Sequence, residues 1–106
     1  MAGAQLKPNP IFTLPVEIPT PDGKLIVNVV FKHKTRDQFD EWLKKSDEED
    51  VKSVMEIAQG WDVMRGEESV PWQPATLQEF FQNYHAAARC ICQKYMKSLA
   101  ALSLGN

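Results

Sequence analysis

The sequence predicts an α+β fold, mainly α, in which an N-terminal β-hairpin is followed by about four short helices. Three observations predict it. Apolar residues alternate with polar ones on both sides of Thr20-Pro21-Asp22-Gly23. From Thr35 onward the apolar spacing changes to three and four, the period of a helix. Finally, Thr35, Ser46 and Thr76 each precede Gln or Glu by three positions, the pattern of a capping box.

Residues 1–10, with Pro8 and Pro10, read as a loose lead-in, 11–102 as a single domain, and 103–106 as a tail. The hairpin occupies 11–33. Its first strand sets Phe12, Leu14, Val16 and Ile18 on one face, and the return strand sets Leu25, Val27, Val29 and Phe31 on one face. Pro21 presets the turn and Gly23 accepts the positive φ that closure needs. Pro15 and Pro19 cannot donate to a ladder, so the first strand is an edge. A lone hairpin is marginal in water, and its apolar face must pack on the helices or a partner.

Helix one, about 36–45, aligns Phe39, Trp42 and Leu43. Helix two, about 47–59, aligns Val51, Val54, Met55 and Ala58, and Gly60 supplies its stop. The acidic run Asp47-Glu48-Glu49-Asp50 then sits at its start, where it complements the macrodipole. Trp61 to Pro74 reads as an ordered loop. Helix three, about 76–84, aligns Leu77, Phe80, Phe81 and Tyr84. Helix four, about 86–102, aligns Ala88, Ile91, Tyr95, Leu99 and Leu102.

Composition narrows the function classes. The 106 residues are 43% hydrophobic and 25% charged with a net charge of −2, as in an ordinary globular domain. No apolar run reaches the ~20 residues of a membrane span, and the N-terminus lacks the basic-then-apolar pattern of a signal peptide, so a soluble protein of the cytoplasm is expected. No global basic field attracts nucleic acid: residues 35–60 carry four bases against eight acids. The one basic patch, Lys32-His33-Lys34-Thr35-Arg36, reads as a solvated strand-to-helix turn. Cys90 and Cys92, two apart on a helix, point about 200° away from each other, so neither a shared metal nor an unstrained disulfide joins them. His33 and His85 have no ligand partners at metal spacing, and the acidic run lacks the alternation and glycine of a calcium loop. Catalytic residues, cofactor and metal are therefore all expected to be none.

What remains is an apolar surplus that includes three Trp, five Phe and two Tyr. Aromatics in the loop, Trp61 and Trp72, either cap the core or present a recognition surface. The natural reading is a binding module. Its partner is expected in apolar grooves between helices three and four, at solvent-facing members of the set Trp72, Phe81, Tyr84 and Met96. Surface that so small a core leaves uncovered predicts self-association.

The residues also resemble a family. A hairpin running into Phe31-Lys32-His33-Lys34-Thr35-Arg36, then an acidic helix, then Ala58-Gln59-Gly60-Trp61-Asp62-Val63, is similar to the tail assembly chaperones of long-tailed bacteriophages. So are Val70-Pro71-Trp72, Thr76-Leu77-Gln78-Glu79-Phe80-Phe81 and Tyr84-His85-Ala86-Ala87 before a closing helix. The likeness spans about 12–102, with Gly60, Trp61 and Asp62 its most distinctive structural motif. It departs at His85, where members often have Pro, and at Trp72, often aliphatic or Phe. The resemblance implies a chaperone of the host cytoplasm that binds the tape measure protein, assists the tail tube protein and is absent from the mature virion. It also implies a frameshifted longer form. Leu104-Gly105-Asn106 permits a slip heptamer of a leucine codon ending in G, then GGA, then AAU or AAC. Two other readings stay open: a small nucleic-acid-binding regulator and a structural tail completion protein.

Overall fold

The computed structural model describes residues 4–103, and the side chains of residues 4–100. The hairpin forms from β1 (Ile11–Thr20) and β2 (Gly23–Lys32), with Thr20 opposite Gly23 across a two-residue turn. Gly23 has φ +140°, which no residue with a Cβ adopts without strain. The register places Phe12 opposite Phe31, Leu14 opposite Val29 and Val16 opposite Val27, so one face of the ribbon is continuously apolar.

Helix α1 (Arg36–Lys45) begins as its spacing predicts. The Thr35 N–H donates to Gln38 Oε1 at 2.9 Å, and the Gln38 N–H donates to Thr35 Oγ1 at 3.2 Å. Trp42 is buried and Phe39 half-buried, but Leu43 turns to solvent. The other two predicted boxes are corrected. Ser46 is the C-cap of α1, its N–H bonding the Trp42 carbonyl, and α2 (Val51–Ile57) starts four residues beyond the expected 47, on an Asp50 cap. Asp47 to Asp50 is a turn, in which Asp47 Oδ1 accepts from the Glu49 N–H, rather than a helical first turn. Helix α3 (Pro74–Asn83) starts before Thr76, because Pro74 has no N–H to lose at the first helical position. The Thr76 hydroxyl instead turns back to the carbonyls of Pro71 and Gln73.

The larger correction concerns fold class. The described residues hold four helices but also five strands in two sheets, so the chain is α+β without being mainly α. Helix α2 ends at Ile57, and Ala58–Trp61 is a third strand, β3, not helix. It pairs antiparallel with β2, giving the order β1-β2-β3 with a register shift between Val30 and Phe31. The physical reason is the free edge of β2: its backbone groups, next to the buried Val29 and Phe31, require partners, and 58–61 supplies them. Gly60 is therefore no helix stop. It lies opposite Val30, where a Cβ would meet Val30 Cγ2 at an ordinary 3.5 Å. Within the expected 61–74 loop, β4 (Met64–Arg65) and β5 (Glu68–Ser69) form a second hairpin around Gly66 at φ +63°.

Helix α4 (Ala87–Ser103) closes the layer, with Ala88, Ile91 and Tyr95 buried and Leu99 partly so. The side chain of Leu102 and all of residues 104–106 lie outside the described residues. Helices and sheet share one core, in which Val16, Ile18, Val29 and Phe31 meet Trp42, Ile57, Leu77 and Ile91. Tyr95 lies at its aromatic centre, with ring centroids 5.3–6.2 Å from Phe12, Phe31, Phe39 and Trp42. Its hydroxyl donates to the Lys32 carbonyl at 2.8 Å, and the Trp42 indole N–H donates to the Ser53 carbonyl at 3.1 Å.

Candidate functional site

Three of the four predicted partner residues lie around one aromatic cluster. Trp61 on β3 meets Trp72 edge-on at 5.2 Å and Phe80 at 5.1 Å; Phe80 in turn touches Phe81 and Tyr84. Trp72, Phe81 and Tyr84 are half-buried against the core, not projecting from it. Met96 is also half-buried, but lies on α4 and makes no part of the ring cluster. The Trp61 indole N–H donates to the Val70 carbonyl at 2.8 Å and ties β3 to the residue after β5. The Trp72 indole nitrogen is buried and has no acceptor among the described residues.

The Gly60-Trp61-Asp62 motif has a local mechanical role. Asp62 accepts from the Asn28 backbone N–H at 2.9 Å and from Asn28 Nδ2 at 2.7 Å. The carboxylate thereby continues the β2–β3 pairing one step after the strand has ended, satisfying an N–H on the free edge of β2. A cleft of about 290 Å³ beside the motif runs from Trp61 to Phe80, flanked by the Arg65–Glu79 ion pair at 2.7 Å.

Sequence reasoning missed the larger feature. A groove of about 1060 Å³ opens between the start of β1, the start of α1 and the distal part of α4. Phe12, Leu14, Phe39 and Leu99 form its apolar floor. His33, Lys34 and Arg36 line one rim, with Asp40 nearby on α1. The basic patch read as a solvated turn is thus the wall of an apolar groove. The ion pairs of the described residues involve neither Lys34 nor Arg36. The signal in the sequence was the run of bases followed by Phe39. Nothing in the pattern revealed that Phe12 and Leu14, on the same face as the buried Val16 and Ile18, stay half covered.

Chemically these surfaces suit binding. The described residues contain no group of three or more His, Cys, Asp or Glu able to hold a metal, and no helix long and apolar enough to cross a membrane. Burial pushes the Cys92 thiol up to about 12, helped by the carboxylates of Glu48, Asp47 and Asp50, so at neutral pH it is a packed thiol and no nucleophile. Cys90 is half-buried and also raised, mainly by burial, with Arg89 and Lys97 opposing.

A family model for the phage tail assembly chaperone matches residues 1–106, the whole chain. No curated protein and no solved structure matches it.

Proposed function

The chain belongs to the phage tail assembly chaperone family, and from that membership we propose that it binds the tape measure protein and assists tail tube assembly without catalysing a reaction. The observation that carries this reading is the family match over residues 1–106. The half-buried aromatics Trp72, Phe81 and Tyr84 and the apolar groove beside β1 support it, since both offer apolar surface to a partner. In this reading the protein acts in the host cytoplasm, contacts the tail tube protein, self-associates while working, and leaves before the virion is complete. A longer frameshifted form belongs to the same proposal.

The test is co-expression with the tape measure protein from the same phage. Expected is a tape measure that stays soluble and co-purifies with the chaperone, while mass spectrometry of purified virions finds no copy of this chain. Stoichiometric recovery of the chain in virions would instead identify a structural tail component. A tape measure that precipitates regardless of co-expression would overturn the proposal.

A further inference from the structure

Among the described residues, the groove beside β1 has the form of an unfilled place in the helical layer. Along the apolar face of β1, Val16 and Ile18 are completely covered, whereas Phe12 and Leu14 toward the strand's start are half exposed. Helices α1 and α4 stand on either side and contribute Phe39 and Leu99. At the cross-section of an α-helix, about 10–12 Å wide with 1.5 Å of rise per residue, the available space holds roughly eight residues, two turns.

The rim says what kind of helix. Lys34 and Arg36 carry full charges that no carboxylate of the described residues neutralises by an ion pair. Arg36 is also the first residue of α1, so the positive end of that helix dipole faces the same side. His33 adds a third group on this wall, and Asp40 is the one acid among the described residues that line the groove. We propose that this groove receives an amphipathic helix of a partner, its apolar stripe on Phe12, Leu14 and Phe39 and an acidic flank against Lys34 and Arg36. The assignment rests on the chaperone reading and names the surface and the chemistry of its client. Apolar contact supplies the affinity, and the basic rim sets orientation and excludes helices with a basic flank.

The experiment uses the full chain and two synthetic helical peptides of identical apolar stripe, one flanked by glutamates and one by lysines, read by fluorescence anisotropy. The acidic peptide should bind at least tenfold tighter than the basic one, and less tightly as salt rises. The double variant Lys34→Glu, Arg36→Glu should reverse the preference. A fold defect would not mimic this result, because glutamate at position 36, in the first turn of α1, suits the dipole, position 34 precedes the Thr35 cap, and neither native side chain is in an ion pair among the described residues. Ile11→Glu, at an exposed lining position opposite Lys32 on β2, should weaken both peptides at least tenfold and keep a favourable cross-strand pair.

Equal binding of the two peptides, or dependence on Phe81→Ala in place of Ile11→Glu, would overturn the proposal. So would binding of anionic vesicles or single-stranded DNA in preference to the acidic peptide. Self-association abolished by Ile11→Glu would show a second copy to be the occupant and also overturn it. If the tape measure protein co-purifies undiminished with the Lys34→Glu, Arg36→Glu variant, the groove assignment fails while the chaperone reading stands. If it co-purifies with neither protein, the chaperone reading itself has failed.

Discussion

Tyr95→Phe removes one oxygen from the most connected aromatic of the core. Phenylalanine keeps the contacts with Phe12, Phe31, Phe39 and Trp42, so ring packing survives. What is lost is the 2.8 Å hydrogen bond to the Lys32 carbonyl, which is left with one fewer donor in a part-buried setting. Together these cost about 1–2 kcal/mol, against about 3–5 kcal/mol for Tyr95→Ala, which also opens a cavity. For a domain of this length that corresponds to a midpoint roughly 5–10 °C lower. The loss should also depend on pH. Burial holds the phenol above its ordinary value of 10.0, so above that pH the unfolded chain releases a proton that the folded chain retains. Fewer protons bound in the unfolded state means stability that is intact below pH 10 and falls as pH rises through and beyond it. Phenylalanine has no such liability. The gap between the two proteins should be constant from pH 6 to about 9 and shrink above 10. Urea titrations followed by tryptophan fluorescence, with equal m-values, measure it directly. A Tyr95→Phe variant as stable as the parent at pH 7, or a gap unchanged up to pH 11, would refute this reasoning.

Three further outcomes follow. Asp62→Ala removes both hydrogen bonds to Asn28 and should lower stability by about 1–2 kcal/mol in the same titration, with Asp62→Asn milder because its amide oxygen still accepts. At pH 8 a thiol reagent should modify Cys90 well before Cys92, whose completely buried thiol becomes reactive only on unfolding, as time-resolved mass spectrometry would show. Because the folded Cys92 titrates near 12 against 9.0 in the open chain, it lowers stability as pH rises from 9 toward 12, and Cys92→Ala should remove that part of the alkaline loss.

The sequence by itself determined the hairpin, its edge position and the existence of four helices, because these depend on short-range physics. Alternation on both sides of Pro21-Asp22-Gly23 leaves one register that sets the alternating apolar residues from Phe12 to Ile18 and from Leu25 to Phe31 on one face. The Thr35–Gln38 box is complete within four residues, so α1 begins where its letters say. Tertiary structure decided the rest. Val51 to Gly60 satisfies a helical pattern well enough, and only the unpaired edge of β2 makes Ala58–Trp61 a strand and turns a mainly-α expectation into a shared α+β core. The capping signal at Ser46 lost to the earlier end of α1, where the Ser46 N–H was already needed by Trp42. The aromatic character of the Trp61–Tyr84 segment could be read from the letters, but its half-burial could not. The groove was still less visible, since β1, the basic turn and the end of α4 are joined only by folding. A floor of Phe12 and Leu14 beneath a rim of Lys34 and Arg36 is a property of the space between elements, and no local pattern encodes that space.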